Sequence, residues 1–187
     1  MVVGGAYNAV EAHDAVVVGG YGNTAERGFS FIGGGEANNI LGQYTTIVGG
    51  KQNTAKGGYS AIAGGEDNFA PESYIALSGG QANTANANHS SIGGGLSNTV
   101  GTDAEGSVIA GGSSNTASGP HGSIGGGLHN EIAIGKRAVI SGGERNVGTA
   151  AYIAIGGGSW NSAFSQYAVV AGGDHNVANE EMTFVGG

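Results

Sequence analysis

The sequence predicts an all-β parallel solenoid of about twelve coils, on three observations. A doubled glycine returns at near-constant intervals, a large apolar residue always stands just before it, and an asparagine always stands just after it. The second glycine of each pair is Gly5, Gly20, Gly35, Gly50, Gly65, Gly80, Gly95, Gly112, Gly127, Gly143, Gly158, Gly173 and Gly187. Nine of the twelve intervals are 15 residues, and the others are 17, 16 and 14. A fixed period of this size is the signature of a repeat architecture, in which each unit buries its apolar face only by stacking on its neighbours. Residues 1–187 therefore read as one repeat domain. Because the chain opens inside a repeat and closes on a Gly-Gly, it also reads as a segment of a longer fibrous protein.

Composition removes the competing classes. Glycine accounts for 41 of 187 residues, but only two prolines are present and no glycine falls at every third position, which excludes a collagen helix. The apolar residues recur in register, unlike those of a disordered chain. A net charge of −8 with only six Lys and Arg disfavours a nucleic-acid partner. Without cysteine there is neither a disulfide framework nor thiolate chemistry, an absence compatible with export. No signal peptide, lipidation signal or apolar run of about 18 residues is present, so no membrane insertion is expected of this segment.

We number each coil from the first glycine of its pair. Position 14 supplies the core: Val17, Ile32, Ile47, Ile62, Leu77, Ile92, Ile109, Ile124, Ile140, Ile155, Val170 and, counted back from the following pair, Phe184. Position 12 is mostly Ala, Ser or Thr, with Ile75, Ile153 and Met182 as the large exceptions. Residues two apart on a strand share one face, so 12 and 14 point inward together. The β-branched residues at 14 suit a pleated surface.

The glycine pair supplies a corner with positive φ. Position 5 follows it with Asn8, Asn23, Asn38, Asn53, Asn68, Asn83, Asn98, Asn115, Asn130, Asn146, Asn161 and Asn176, and position 7 with Ala, Val, Ile or Gly. By the same spacing these point inward, and the asparagines either cap the glycine corner or stack as an amide ladder along the axis. A coil thus reads as strand, Gly-Gly corner, short second strand and looser corner. Both internal changes of interval map to the looser corner, within 101–106 and 133–136, where a solenoid takes insertions.

Positions 13 and 15 point out of the coil, and none of their residues is charged. Val16, Val18, Ala61, Ala63, Ala76, Val108, Val139, Ala154 and Val169 exemplify the pattern. A ribbon this long and bland is too large to stand bare on a soluble monomer, which makes it the expected interface with further copies of the chain. Beside it, position 11 carries Phe29, Tyr44, Tyr59, Tyr74, Tyr152 and Tyr167 together with His89 and His121. This column reads either as a ladder of rings sealing the interface edge or as a stripe facing a ligand such as a glycan.

No reaction chemistry is legible. The five histidines lie in several columns without ligand spacing, so neither a metal nor a cofactor is expected. The Gly-Gly-Gly stretches lack the Lys-Ser/Thr and the helix of a phosphate loop. Glu66-Asp67 and Glu180-Glu181 are adjacent pairs whose side chains diverge on a strand, and no catalytic residue is assigned. Threonine recurs at position 6 (Thr24, Thr54, Thr84, Thr99, Thr116), but in one file, interrupted by Asn39, Phe69 and Glu131, whereas ice binding would want a regular Thr-x-Thr array.

Ile153-Ala154-Ile155-Gly156, Ala133-Ile134-Gly135-Lys136-Arg137-Ala138 and Ser60-Ala61-Ile62-Ala63-Gly64 carry a further resemblance. The chain resembles the YadA-like head of trimeric autotransporter adhesins, whose repeats follow a Ser-Val-Ala-Ile-Gly-x-x-Ala pattern. It differs in its 15-residue period, its doubled glycine and its recurrent asparagine. The resemblance implies a left-handed β-roll, a homotrimer and display on a bacterial surface; similar glycine-asparagine repeats also look like phage tail-fibre shafts. The function expected is a structural and adhesive segment of an extracellular fibre, self-associating and facing a host or environmental surface or a glycan. Because both ends are ordinary repeat text, an end-to-end filament is a second expected form of self-association.

Overall fold

Each coil turns the chain back on itself twice, so that every strand lies beside its counterpart one period later. The computed structural model describes residues 1–187 and contains 24 two-residue strands and no helix. The strands alternate from β1 (Ala9–Val10) and β2 (Val16–Val17) to β23 (Val177–Ala178) and β24 (Phe184–Val185). The odd-numbered strands form one 12-stranded sheet at positions 6 and 7. The even-numbered strands form a second, at positions 13 and 14. All pairings are parallel and join neighbouring coils, as in Ala61↔Ala76↔Ser91 and Thr84↔Thr99↔Thr116. At a spacing of about 4.8 Å, twelve coils make a rod on the order of 58 Å long.

The pairing register identifies what each interval change does. Ser91 pairs with Val108 and Ile132 with Gly148, so the additional residues leave both sheets unbroken and bulge at the looser corner. Within the first bulge Ala104 tucks in completely, whereas in the second Ile134 is 77% exposed. Ala133–Ala138 therefore matches Ile153–Gly156 in sequence but occupies a corner rather than a strand. The 14-residue last coil corrects one expectation. Phe184 pairs with Val169 and Val185 with Val170, so Val185, not Phe184, points inward at position 14. The omitted residue is the one at position 15. Phe184 is accordingly 70% exposed and Met182 belongs at position 11, not 12.

Position 14 forms the core as its pattern requires: Val17, Ile32, Ile47, Ile62, Leu77, Ile92, Ile109, Ile124, Ile140, Ile155 and Val170 are all fully buried. Alanine, valine or isoleucine at position 7 closes the core from the first sheet, in one cluster that runs the length of the rod. The asparagines fulfil both roles proposed for them. In Asn83, Nδ2 donates to Gly79 O and Gly95 O, each at 3.0 Å, and to Asn68 Oδ1 at 3.1 Å. Its Oδ1 in turn accepts from the backbone N and Nδ2 of Asn98, at 3.0 and 3.1 Å. One side chain thus caps its own glycine corner, reaches the next corner and continues the ladder, so a fully buried amide has its hydrogen-bonding capacity filled.

The glycine corner explains why it admits no other residue. At Gly80, φ is +85°, and a Cβ there would lie 2.1 Å from Gly95 O and 2.8 Å from Asn83 Nδ2. Two further columns take left-handed conformations without glycine. At position 4, from Tyr7 to His175, and position 11, from Asp14 to Met182, the non-glycine residues hold φ between +53° and +60°, and the only glycines among them, Gly22 and Gly106, hold +66° and +69°. A third line of contact joins the coils at position 3 through single parallel bridges such as Glu36↔Lys51↔Glu66.

Candidate interaction surface

The second sheet turns its outer face to solvent through position 13, with position 15 continuing that face beyond the strand. Val18, Ala61, Ala63, Ala76, Val108 and Val139 are exposed, while Val16, Ala154 and Val169 are half-buried by their neighbours along the axis. Phe31 and Phe184 are the two large rings on this face. At Gly33, Gly93, Gly125 and Gly156 a Cβ would come within 2.2–2.3 Å of a carbonyl oxygen in the next coil, so glycine answers to the solenoid's own backbone. The other coils carry alanine, serine or, at Val18 and Val48, valine at this position.

About 58 Å of sheet, roughly 10 Å wide for three residues, offers on the order of 600 Å² per chain. Two such faces would bury roughly 1,200 Å², the lower bound of a specific interface. No acid or base lies on the face, although the chain carries 14 Asp and Glu and six Lys and Arg.

The aromatic column divides into two. Phe29, Tyr44, Tyr59, Tyr74 and His89 stack continuously, with centroids 4.8–5.1 Å apart and planes within 11° of parallel. Gly106 interrupts the column, and it resumes with His121, Arg137, Tyr152 and Tyr167. Coil spacing sets this geometry, because identical left-handed corners repeat about one ring thickness plus a van der Waals gap apart. Each inner ring has both faces covered by its neighbours, so the ladder offers edges and hydroxyls to a partner. The only tyrosine hydroxyl with a partner in the chain is that of Tyr152, held by Arg137 Nη1 at 3.5 Å.

A second ladder at position 4 was not legible as such. Arg145 lies 4.8 Å over the Trp160 ring, and His175 stacks on Trp160 at 5.9 Å. Glu144 holds Arg145 at 2.7 Å, and Asp174 approaches His175 at 3.0 Å. The signal available for it is compositional: neither position 4 nor position 11 carries Val, Ile or Thr in any coil. A β-branched residue is the one most penalised at positive φ.

The first sheet's outer face carries Thr24, Thr54, Thr84, Thr99 and Thr116 in one file at position 6, with Asn39 and Phe69 between them in register. No group of three His, Asp or Glu side chains converges to ligand distance. No helix is long and apolar enough to cross a membrane. Neither a protein-family model nor a curated protein matches the sequence.

Proposed function

We propose that this chain is a structural segment of an extracellular or cell-surface fibre, which self-associates laterally through the outer face of its second sheet. The observation that carries the proposal is the uncharged face: twelve strands long, it bears no acid or base on a chain of net charge −8. A soluble chain that left this ribbon bare would expose a patch at or above the size normally found on monomers. A rod of constant cross-section also suits a shaft, because stability and length both grow by adding coils. The resemblance to the YadA-like head supports surface display, adhesion and a trimer as the particular assembly.

Sedimentation velocity at micromolar concentration tests the reading. Association is expected, and the combined substitution Ala61→Glu, Ala76→Glu and Ala154→Glu should abolish it, because each carboxylate would be desolvated in the contact. Those side chains point away from the coil interior, so circular dichroism and unfolding of the variant should match the parent. A well-folded parent that stays monomeric would overturn the reading.

A further inference from the structure

We propose that a channel along the looser corner of the second to fifth coils binds an extended acidic glycan with one carboxylate per disaccharide. Arg27, Gln43, Lys56, Tyr59, Ser73 and Tyr74 line it, and no acidic residue does.

The cations are the first argument. Of the six Lys and Arg, Lys51 and Arg145 are paired with Glu66 and Glu144, Arg137 is engaged with Tyr152, and Lys136, without a carboxylate partner, lies far along the rod in the ninth coil. Arg27 and Lys56 have no carboxylate within salt-bridge distance, yet both line this one channel. Lys56 Nζ lies 5.0 Å from the Phe69 ring centre, a contact that holds the ammonium without neutralising it. Two unneutralised cations brought together on an acidic chain form a local field that suits an anion.

Spacing selects the kind of anion. Arg27 belongs to the second coil and Lys56 to the fourth, two steps of about 4.8 Å along the axis. That separation is close to the length of a disaccharide in an extended glycan, so an acid on alternate sugars would meet each cation in turn. The floor is bare backbone: Gly42 and Gly58 lie in it, and a Cβ on Gly42 would fall 2.2 Å from Gly57 O. At Gly42, therefore, no side chain could be added without displacing the next coil. Tyr59 and Tyr74 form its wall, stacked at 5.1 Å, with hydroxyls that make no hydrogen bond inside the chain. Their faces are spent on each other, so a neutral sugar gains no stacking surface and recognition falls to charge and hydrogen bonds.

Calorimetric titration of the intact chain at low salt tests this with three probes: a hyaluronan hexasaccharide, an oligogalacturonate with an acid on every sugar, and neutral cellohexaose. The hyaluronan oligomer should bind saturably and cellohexaose should not. Arg27→Gln with Lys56→Gln should weaken binding about tenfold or more, and so should Ser73→Glu, which places a negative charge in the channel; Lys51→Gln should leave it within about twofold. Oligogalacturonate should bind several-fold more weakly than hyaluronan, because the acid on each intervening sugar would lie over the third coil, whose lining residues Leu41, Gly42 and Gln43 offer it no cation. The proposal is overturned by absence of saturable hyaluronan binding, by equal binding of cellohexaose, or by a double variant that binds like the parent. Equal affinity for oligogalacturonate would overturn the disaccharide spacing. Because the site lies within one chain, these outcomes are independent of whether the second-sheet face self-associates.

Discussion

The two corners of the coil are made on opposite principles. At the glycine corner every complete coil has the same glycine and the same asparagine, and the buried amides form one ladder through the rod. At the looser corner position 12 varies, and its hydroxyls satisfy whatever carbonyl lies near. Ser60 Oγ donates toward Glu72 O at 3.2 Å and accepts from Ile75 N at 3.1 Å, Ser107 Oγ donates to Gly119 O at 2.8 Å, and in other coils alanine makes no such bond. Both insertions fall on this side. A corner built from buried polar groups tolerates no change in geometry because each unpaired group is expensive. A corner built from small residues and solvent-facing turns can lengthen, since loop closure depends only weakly on length.

The contrast breaks most sharply at the amide ladder. Asn83→Ala would leave Gly79 O and the Asn98 N–H without partners in a dry interior, while Gly95 O keeps the Gln81 N–H, and is expected to destabilise by about 2–6 kcal/mol, at about 1–3 kcal/mol per orphaned group. Urea unfolding reads this directly. Asn83→Asp keeps the shape but faces two carbonyls with a carboxylate, so burial and those dipoles raise its pKa in the fold. Its stability should be greatest below the unfolded aspartate value of about 3.9 and fall as pH rises through the raised folded value. A variant that became more stable with rising pH would contradict the donor role of Asn83.

Insertion of two residues sharpens the comparison next. Placed between Gly80 and Gln81, it separates a glycine from the asparagine that caps it, and should cost about 3 kcal/mol or more through the orphaned groups. Placed between Asn88 and His89, it repeats what the next coil already does and should cost about 1 kcal/mol or less. Comparable losses at both sites would remove the distinction. The smallest effect is expected at Ser60→Ala, about 1 kcal/mol, because a single backbone donor, Ile75 N–H, loses its acceptor and alanine already occupies this position elsewhere.

Much of this was legible in the residues themselves. Period, inward columns, the location of the insertions and the uncharged face all follow from spacing, because strand alternation and coil stacking leave side chains only two directions. Phe184 was misread because an interval of 14 cannot say which position is missing; hydrogen bonding to the preceding coil places the omission at position 15. The bridges at position 3 and the left-handed corner at position 4 also escaped reading, since residues as different as Tyr7, Ala37 and Arg145 share one backbone conformation there.

The sequence by itself determined the parallel solenoid, because a repeat that cannot bury its own apolar face must stack. Only the tertiary structure decided how columns become surfaces. It closed the faces of Tyr44, Tyr59 and Tyr74 against one another, split the aromatic column at Gly106, and set Arg27 and Lys56 beside one channel although 29 residues separate them. Those outcomes depend on the distance between coils and on which side chains find partners across it. Both are properties of the stacked backbone, and no single repeat contains them.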